Sequence, residues 1–100
     1  MAISDVRLKG SWYEIYDDSG KKIKDVSSSI GELKGIGNDF FVILKGSWYA
    51  TYKEDGTKIK ETSSSIGEIK TVAGSSISVK KGSWIATYDK NWNKTGERSA

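Results

Sequence analysis

Apolar residues in this chain fall into short alternating runs, not at helical spacing. After Ser11 the order Trp12-Tyr13-Glu14-Ile15-Tyr16 consists mostly of β-formers that alternate between two faces, with Trp12, Glu14 and Tyr16 on one of them. The pattern returns at residues 48–52 and 84–88, so Trp48, Ala50 and Tyr52, then Trp84, Ala86 and Tyr88, share the matching face. Ser19-Gly20 and Asp55-Gly56 follow where a hairpin turn needs a left-handed residue. Residues 22–26 and 58–62 are therefore predicted to be return strands. The identical hexapeptides at 27–32 and 63–68 read as polar links. A third strand is predicted over 33–36 or 69–72. After a turn at Gly37-Asn38 or Ala73-Gly74, a fourth is predicted over 40–44 or 76–79.

This succession repeats. Lys-Gly-Ser-Trp begins at Lys9, Lys45 and Lys81, 36 residues apart each time. Residues 9–44 and 45–80 share 17 of 36 positions, and 81–100 shares 10 of 20 with 45–64, all without a gap. The chain is one domain, 1–100, made of a partial unit 1–8, full units 9–44 and 45–80, and a partial unit 81–100. Four strands per unit give eleven in all. The third unit lacks the counterpart of residues 29–36, which predicts an open sheet edge there and pairing with another chain, in the simplest case a homodimer. All-β meanders repeated about three times suit a threefold β-prism or trefoil-like barrel. The alternative is a six-bladed β-propeller completed by two chains.

The phrase Gly-Ser-Trp-x-x-x-Tyr-x-x-x-Gly-x-Lys-Ile, at Gly10–Ile23 and Gly46–Ile59, resembles small bacterial tandem β-repeat proteins. It is similar, more loosely, to WG repeats, which also place an aromatic strand before a Gly-Lys turn. Unit length and threefold count resemble the monocot mannose-binding lectins, which implies a β-prism. Their sugar-binding pattern Gln-x-Asp-x-Asn-x-Val-x-Tyr does not occur in this sequence, so no sugar site carries over.

Composition narrows the function. Charged residues make up 29% of the chain and apolar ones 36%, so the four Trp, five Tyr and two Phe must supply much of the burial. There is no Cys, which rules out disulfides and thiolate metal sites, and no His. Neither an apolar leader nor a membrane-length apolar run is visible, and a cytoplasmic location is expected. Lysines outnumber arginines fourteen to two and alternate with acids, an arrangement poorly suited to a phosphate-tracking groove.

Without His or Cys, and with no Gly-x-Ser-x-Gly or Ser-x-x-Lys where a nucleophile would be expected, the residues point away from catalysis. No cofactor and no metal is expected. Trp12, Trp48 and Trp84 with Tyr16, Tyr52 and Tyr88 have two readings: three aromatic platforms for sugar rings or bases, or simply the core. The scarcity of other large apolar residues favours the core. Departures from the repeat mark contacts of another kind. Trp92 replaces Gly20 and Gly56 at a hairpin tip, where it would be exposed and mildly strained unless Asn91 or Asn93 takes the left-handed place and the ring folds back. Phe40 and Phe41 are adjacent in a strand, so one faces away from the core unless a partner covers it. The leading expectation is a non-catalytic module that binds protein or itself through an open edge and Trp92, Phe40 and Phe41. A carbohydrate-binding module is second, and a single-stranded nucleic-acid binder third.

Overall fold

A computed structural model describes residues 3–99; residues 1, 2 and 100, the outermost ends of the partial units, lie outside it. The eleven strands are β1 (Ile3–Lys9), β2 (Trp12–Asp17), β3 (Lys22–Ser27), β4 (Glu32–Ile36), β5 (Phe40–Lys45), β6 (Trp48–Lys53), β7 (Lys58–Ser63), β8 (Glu68–Ala73), β9 (Ser76–Lys81), β10 (Trp84–Tyr88) and β11 (Lys94–Ser99). They form three antiparallel meanders: sheet I is β1-β2-β3, sheet II is β4-β5-β6-β7 and sheet III is β8-β9-β10-β11. Among the described residues no helix is long and apolar enough to cross a membrane.

The sheets are out of phase with the sequence repeat. Each Lys-Gly-Ser-Trp sits at a turn inside a sheet, and a new sheet begins only after a Ser-Ser-Ile 3-10 turn at Ser28–Ile30 or Ser64–Ile66. Ser27 and Ser63 start these turns by accepting the Ser29 and Ser65 N–H groups on their hydroxyl oxygens. The two identical hexapeptides are thus the crossovers between sheets. The open edge expected in the third unit is corrected accordingly: sheet III is complete with four strands, and sheet I has three.

The sheets stack front to back. Val6, Tyr13 and Ile15 of sheet I pack against Phe41 and Ile43 of sheet II in one hydrophobic cluster. Phe40, Val42 and Tyr49, on the other face of sheet II, pack against Ile77, Val79 and Trp92 of sheet III in a second. Sheet II is therefore covered on both sides, which its nearly continuous apolar strand Phe-Phe-Val-Ile-Leu requires. A closed threefold arrangement would have three such interfaces; the described residues form two.

Register explains why the two outer faces remain open. Across β1 and β2, Asp5 pairs with Tyr16 and Arg7 with Glu14, where sheet II has Phe41 with Tyr52 and Ile43 with Ala50. At the opposite end Ser76, Ser78, Lys80 and Ile85 occupy the places of Phe40, Val42, Leu44 and Tyr49. Apart from Ile85, sheets at both ends thus turn polar residues outward where the middle sheet has apolar ones, as end units of a repeat stack must.

Hydroxyls fasten each sheet to the next. Tyr13 donates from its hydroxyl to the Gly31 carbonyl at 2.7 Å and accepts the Leu33 N–H at 3.2 Å. Tyr49 repeats the first bond, to the Gly67 carbonyl at 2.8 Å. The third copy has Ile85 there, on the face with no following sheet.

Candidate functional site

The interior claims several residues that the sequence offered as contacts. Phe40 and Phe41 are fully buried, one in each cluster, so both are corrected from partner contacts to core: the covering surface comes from the chain's own sheets I and III. Trp92 is corrected likewise. It takes the left-handed conformation itself, with φ of 62°, and no neighbouring Asn relieves it. Its ring nonetheless folds inward and is 9% exposed. It stacks on Tyr49 at 5.9 Å between centroids and meets Tyr88 edge-on at 6.1 Å, while its Nε1–H donates to the Lys60 carbonyl.

Volume exchange accounts for this Trp. At the interface of sheets I and II, Gly56 lies so close to Val26 that a Cβ on it would come within 2.7 Å of that side chain. The next interface has Thr51 and Thr62 where the first has Ile15 and Val26, and Trp92 where it has Gly56. Smaller strand residues are matched by a larger turn residue. The Thr51 hydroxyl, fully buried, donates to the Lys90 carbonyl at 2.6 Å and so ties β6 to the turn that carries Trp92.

Trp12, Trp48 and Trp84 behave in the opposite way. They are 52%, 51% and 53% exposed, so the expectation that they build the core is also corrected. Trp12 lies on the uncovered rear face of sheet I, whereas Trp48 and Trp84 lie on faces that another sheet covers. Equal exposure in both settings means that each indole stands beyond the sheet-to-sheet interface. The tyrosines of the same rows diverge. Tyr52 stacks on Phe41 at 5.5 Å, Tyr88 packs on Trp92, and Tyr16 lies under the Arg7 guanidinium at 5.0 Å.

Each exposed indole shares its sheet with a lysine–carboxylate pair on the last strand: Lys22 with Asp25 at 3.3 Å, Lys58 with Glu61 at 3.4 Å and Lys94 with Glu97 at 3.1 Å. The pairs recur at the repeat period and were legible in the sequence as Lys-x-x-acid. Around Trp84 the cleft holds about 270 Å³ and is lined by Ser65, Ile66, Lys81, Tyr88, Lys94 and Glu97. Around Trp12 it holds about 350 Å³, between Lys9, Glu14 and Asp25. The Lys22 and Lys94 ammonium groups are held above the usual lysine range, first by hydrogen bonds to Asp25 and Glu97 and then by the charge of the same carboxylates. Each cleft thus offers a flat apolar face beside fixed charged donors and acceptors, which suits a ligand with one apolar face and a polar rim.

Other charged groups are also paired locally. Lys34 meets Glu32, Lys70 meets Glu68 and Lys90 meets Asp39, so the lysine rows present little continuous positive field. Among the described residues no group of three or more His, Cys, Asp or Glu is placed to hold a metal. Compared with protein-family models, with curated proteins and with solved structures, the chain finds no match.

Proposed function

We propose that the chain is a non-catalytic binding module whose exposed indoles Trp12, Trp48 and Trp84 stack against saccharide rings. The observation that carries this reading is the near-equal half-exposure of the three indoles in two different packing environments. A residue kept for stability is expected to be buried where a neighbouring sheet allows it. These are not. Aromatic stacking against an apolar sugar face, with hydroxyls directed to a Lys–carboxylate pair, uses both parts of the cleft. A nucleic-acid ligand is disfavoured because the nearby lysines are neutralised by their own carboxylates.

For the architecture, the reading is an open front-to-back stack of meanders, in preference to a threefold prism or to a ring closed by a second copy. The polar outer faces of sheets I and III support it, since ring closure would bury Asp5, Arg7, Ser78 and Lys80.

The test is titration with a panel of oligosaccharides, followed by indole emission and by backbone amide shifts. Binding should perturb the three exposed indoles, and Trp84→Ala should remove one site and leave the other two. A panel that leaves every indole unperturbed at millimolar concentration refutes the reading.

A further inference from the structure

The edge of β1 that faces away from β2 has a place for one more strand, and the rest of the molecule specifies what fits it. By the repeat, β1 is the counterpart of β5 and β9, each of which pairs on that side with the first strand of its sheet, β4 or β8. Among the described residues the corresponding edge of β1 carries one backbone bond, from the Ile3 N–H to the Asn38 carbonyl at 2.5 Å. The two-residue turn at Gly10-Ser11 makes Lys9 and Trp12 a hydrogen-bonded pair, so Val6 and Leu8 direct their N–H and C=O groups outward. Leu8 registers the missing neighbour. It is 62% exposed, whereas Leu44, its counterpart paired with Glu32, is half-buried and packs on a core cluster.

The two filled places define the occupant. Ser-Ser-Ile-Gly-Glu-Leu-Lys-Gly-Ile occupies residues 28–36 and Ser-Ser-Ile-Gly-Glu-Ile-Lys-Thr-Val residues 64–72. Their Glu lies across from Leu44 or Lys80, their Leu or Ile across from Ile43 or Val79, and Gly35 lies across from Val42. First strands also lie against one another: a Cβ on Gly35 would collide with the Val72 side chain. Ile36 is the β4 residue at the Val72 position, so a strand added to β1 meets Ile36 where Gly35 meets Val72. A glycine is needed there, and the Thr71 of the other segment does not fit.

We propose that β1 accepts an extended peptide strand, antiparallel to it and of the type Ser-Ser-Ile-Gly-Glu-Leu-Lys-Gly-Ile, with glycine next to last. The ladder supplies affinity, and the Ile36 contact supplies selectivity. A second copy of this chain is not the donor, because both of its segments of this type are already held in their own sheets. This site is independent of the Trp clefts.

The experiment titrates the isotope-labelled chain with the two synthetic nonapeptides. The glycine peptide should shift and protect the Val6 and Leu8 amides, and the threonine peptide should bind at least about tenfold more weakly because of its clash with Ile36. Leu8→Pro removes the outward N–H without touching the β1–β2 ladder and should abolish binding. If that variant melts early, the peptide pair alone decides. Equal binding of both peptides, no binding at millimolar concentration, or shifts at Val42 and Leu44 that report displacement of β4 would each overturn the proposal. So would a peptide-free dimer that protects the Val6 and Leu8 amides. Sugar titration reads the indoles and peptide titration reads β1, so failure of either leaves the other standing.

Discussion

Replacing Trp92 with glycine, the residue its two counterparts carry, sets two opposed effects against each other. Glycine relieves the left-handed φ of 62°, a gain of about 1 kcal/mol. Removal of the buried ring forfeits its stacking on Tyr49, its edge contact with Tyr88 and the bond from Nε1 to the Lys60 carbonyl. Large-to-small changes of a buried Trp cost about 3–5 kcal/mol. Packing should win, and Trp92→Gly should lose about 2–4 kcal/mol. In urea, with a slope of about 2 kcal/mol per molar, the middle of the range for a small protein, this is a fall in midpoint of about 1–2 M. Indole emission gives a second reading: Trp92 is the buried Trp and the other three are half-exposed, so the folded variant should emit further to the red. Trp48→Ala should cost less, since half of that side chain is already in water. A variant as stable as the parent, or more stable, would refute the volume-exchange account of the second interface.

The inter-sheet hydroxyls should rank by their partners. Tyr13→Phe leaves both the Gly31 carbonyl and the Leu33 N–H without a partner and should cost about 1–3 kcal/mol, Tyr49→Phe about 1 kcal/mol, and Ile85→Tyr close to nothing in thermal melts. Acid should weaken the fold in part through Asp17, whose carboxylate accepts from the Ser19 hydroxyl and the Ser19 and Lys21 N–H groups and so titrates below its ordinary 3.8. A depressed folded value contributes stability that is complete above the unfolded value and is lost as pH falls through the folded one; Asp17→Asn should flatten this acid limb in denaturant midpoints measured against pH. Giving sheet III the outer face of sheet II, by Ser76→Phe, Ser78→Val and Lys80→Leu together, should drive self-association. An unchanged mass by light scattering would contradict the role assigned to those polar residues.

Strands and turns were legible because their signals are local. Alternation fixed the faces of β2, β6 and β10, and Gly20 and Gly56 sit at φ of 81° and 86° as the turn chemistry demands. The grouping of strands into sheets was not, because sequence similarity fixes the period of a repeat and not its phase: Lys-Gly-Ser-Trp is the segment that all three copies share and yet lies mid-sheet. Phe40 and Phe41 misled for a related reason. A doubly covered strand looks half-exposed to any argument that allows it one core. Trp92 could not be placed without its compensating neighbours Thr51 and Thr62, which are distant in the chain and meet it only across an interface. The exposure of Trp12, Trp48 and Trp84 ran against the weight of composition, since the core was filled instead by Tyr13, Ile15, Tyr49 and the aliphatics of β5 and β9.

The front-to-back stacking makes the number of sheets a matter of side chains alone. All three sheets follow one backbone plan, so growth is limited as in a polymer by chemical terminators: Asp5 and Arg7 at one end, Ser78, Lys80 and Ile85 at the other. A duplicate of residues 28–63 inserted after Ser63, with Trp at its copy of Gly56 to fill the space beside Thr51 and Thr62, would carry the apolar side chains of sheet II on both faces, so the array could lengthen by one member with both terminators left in place.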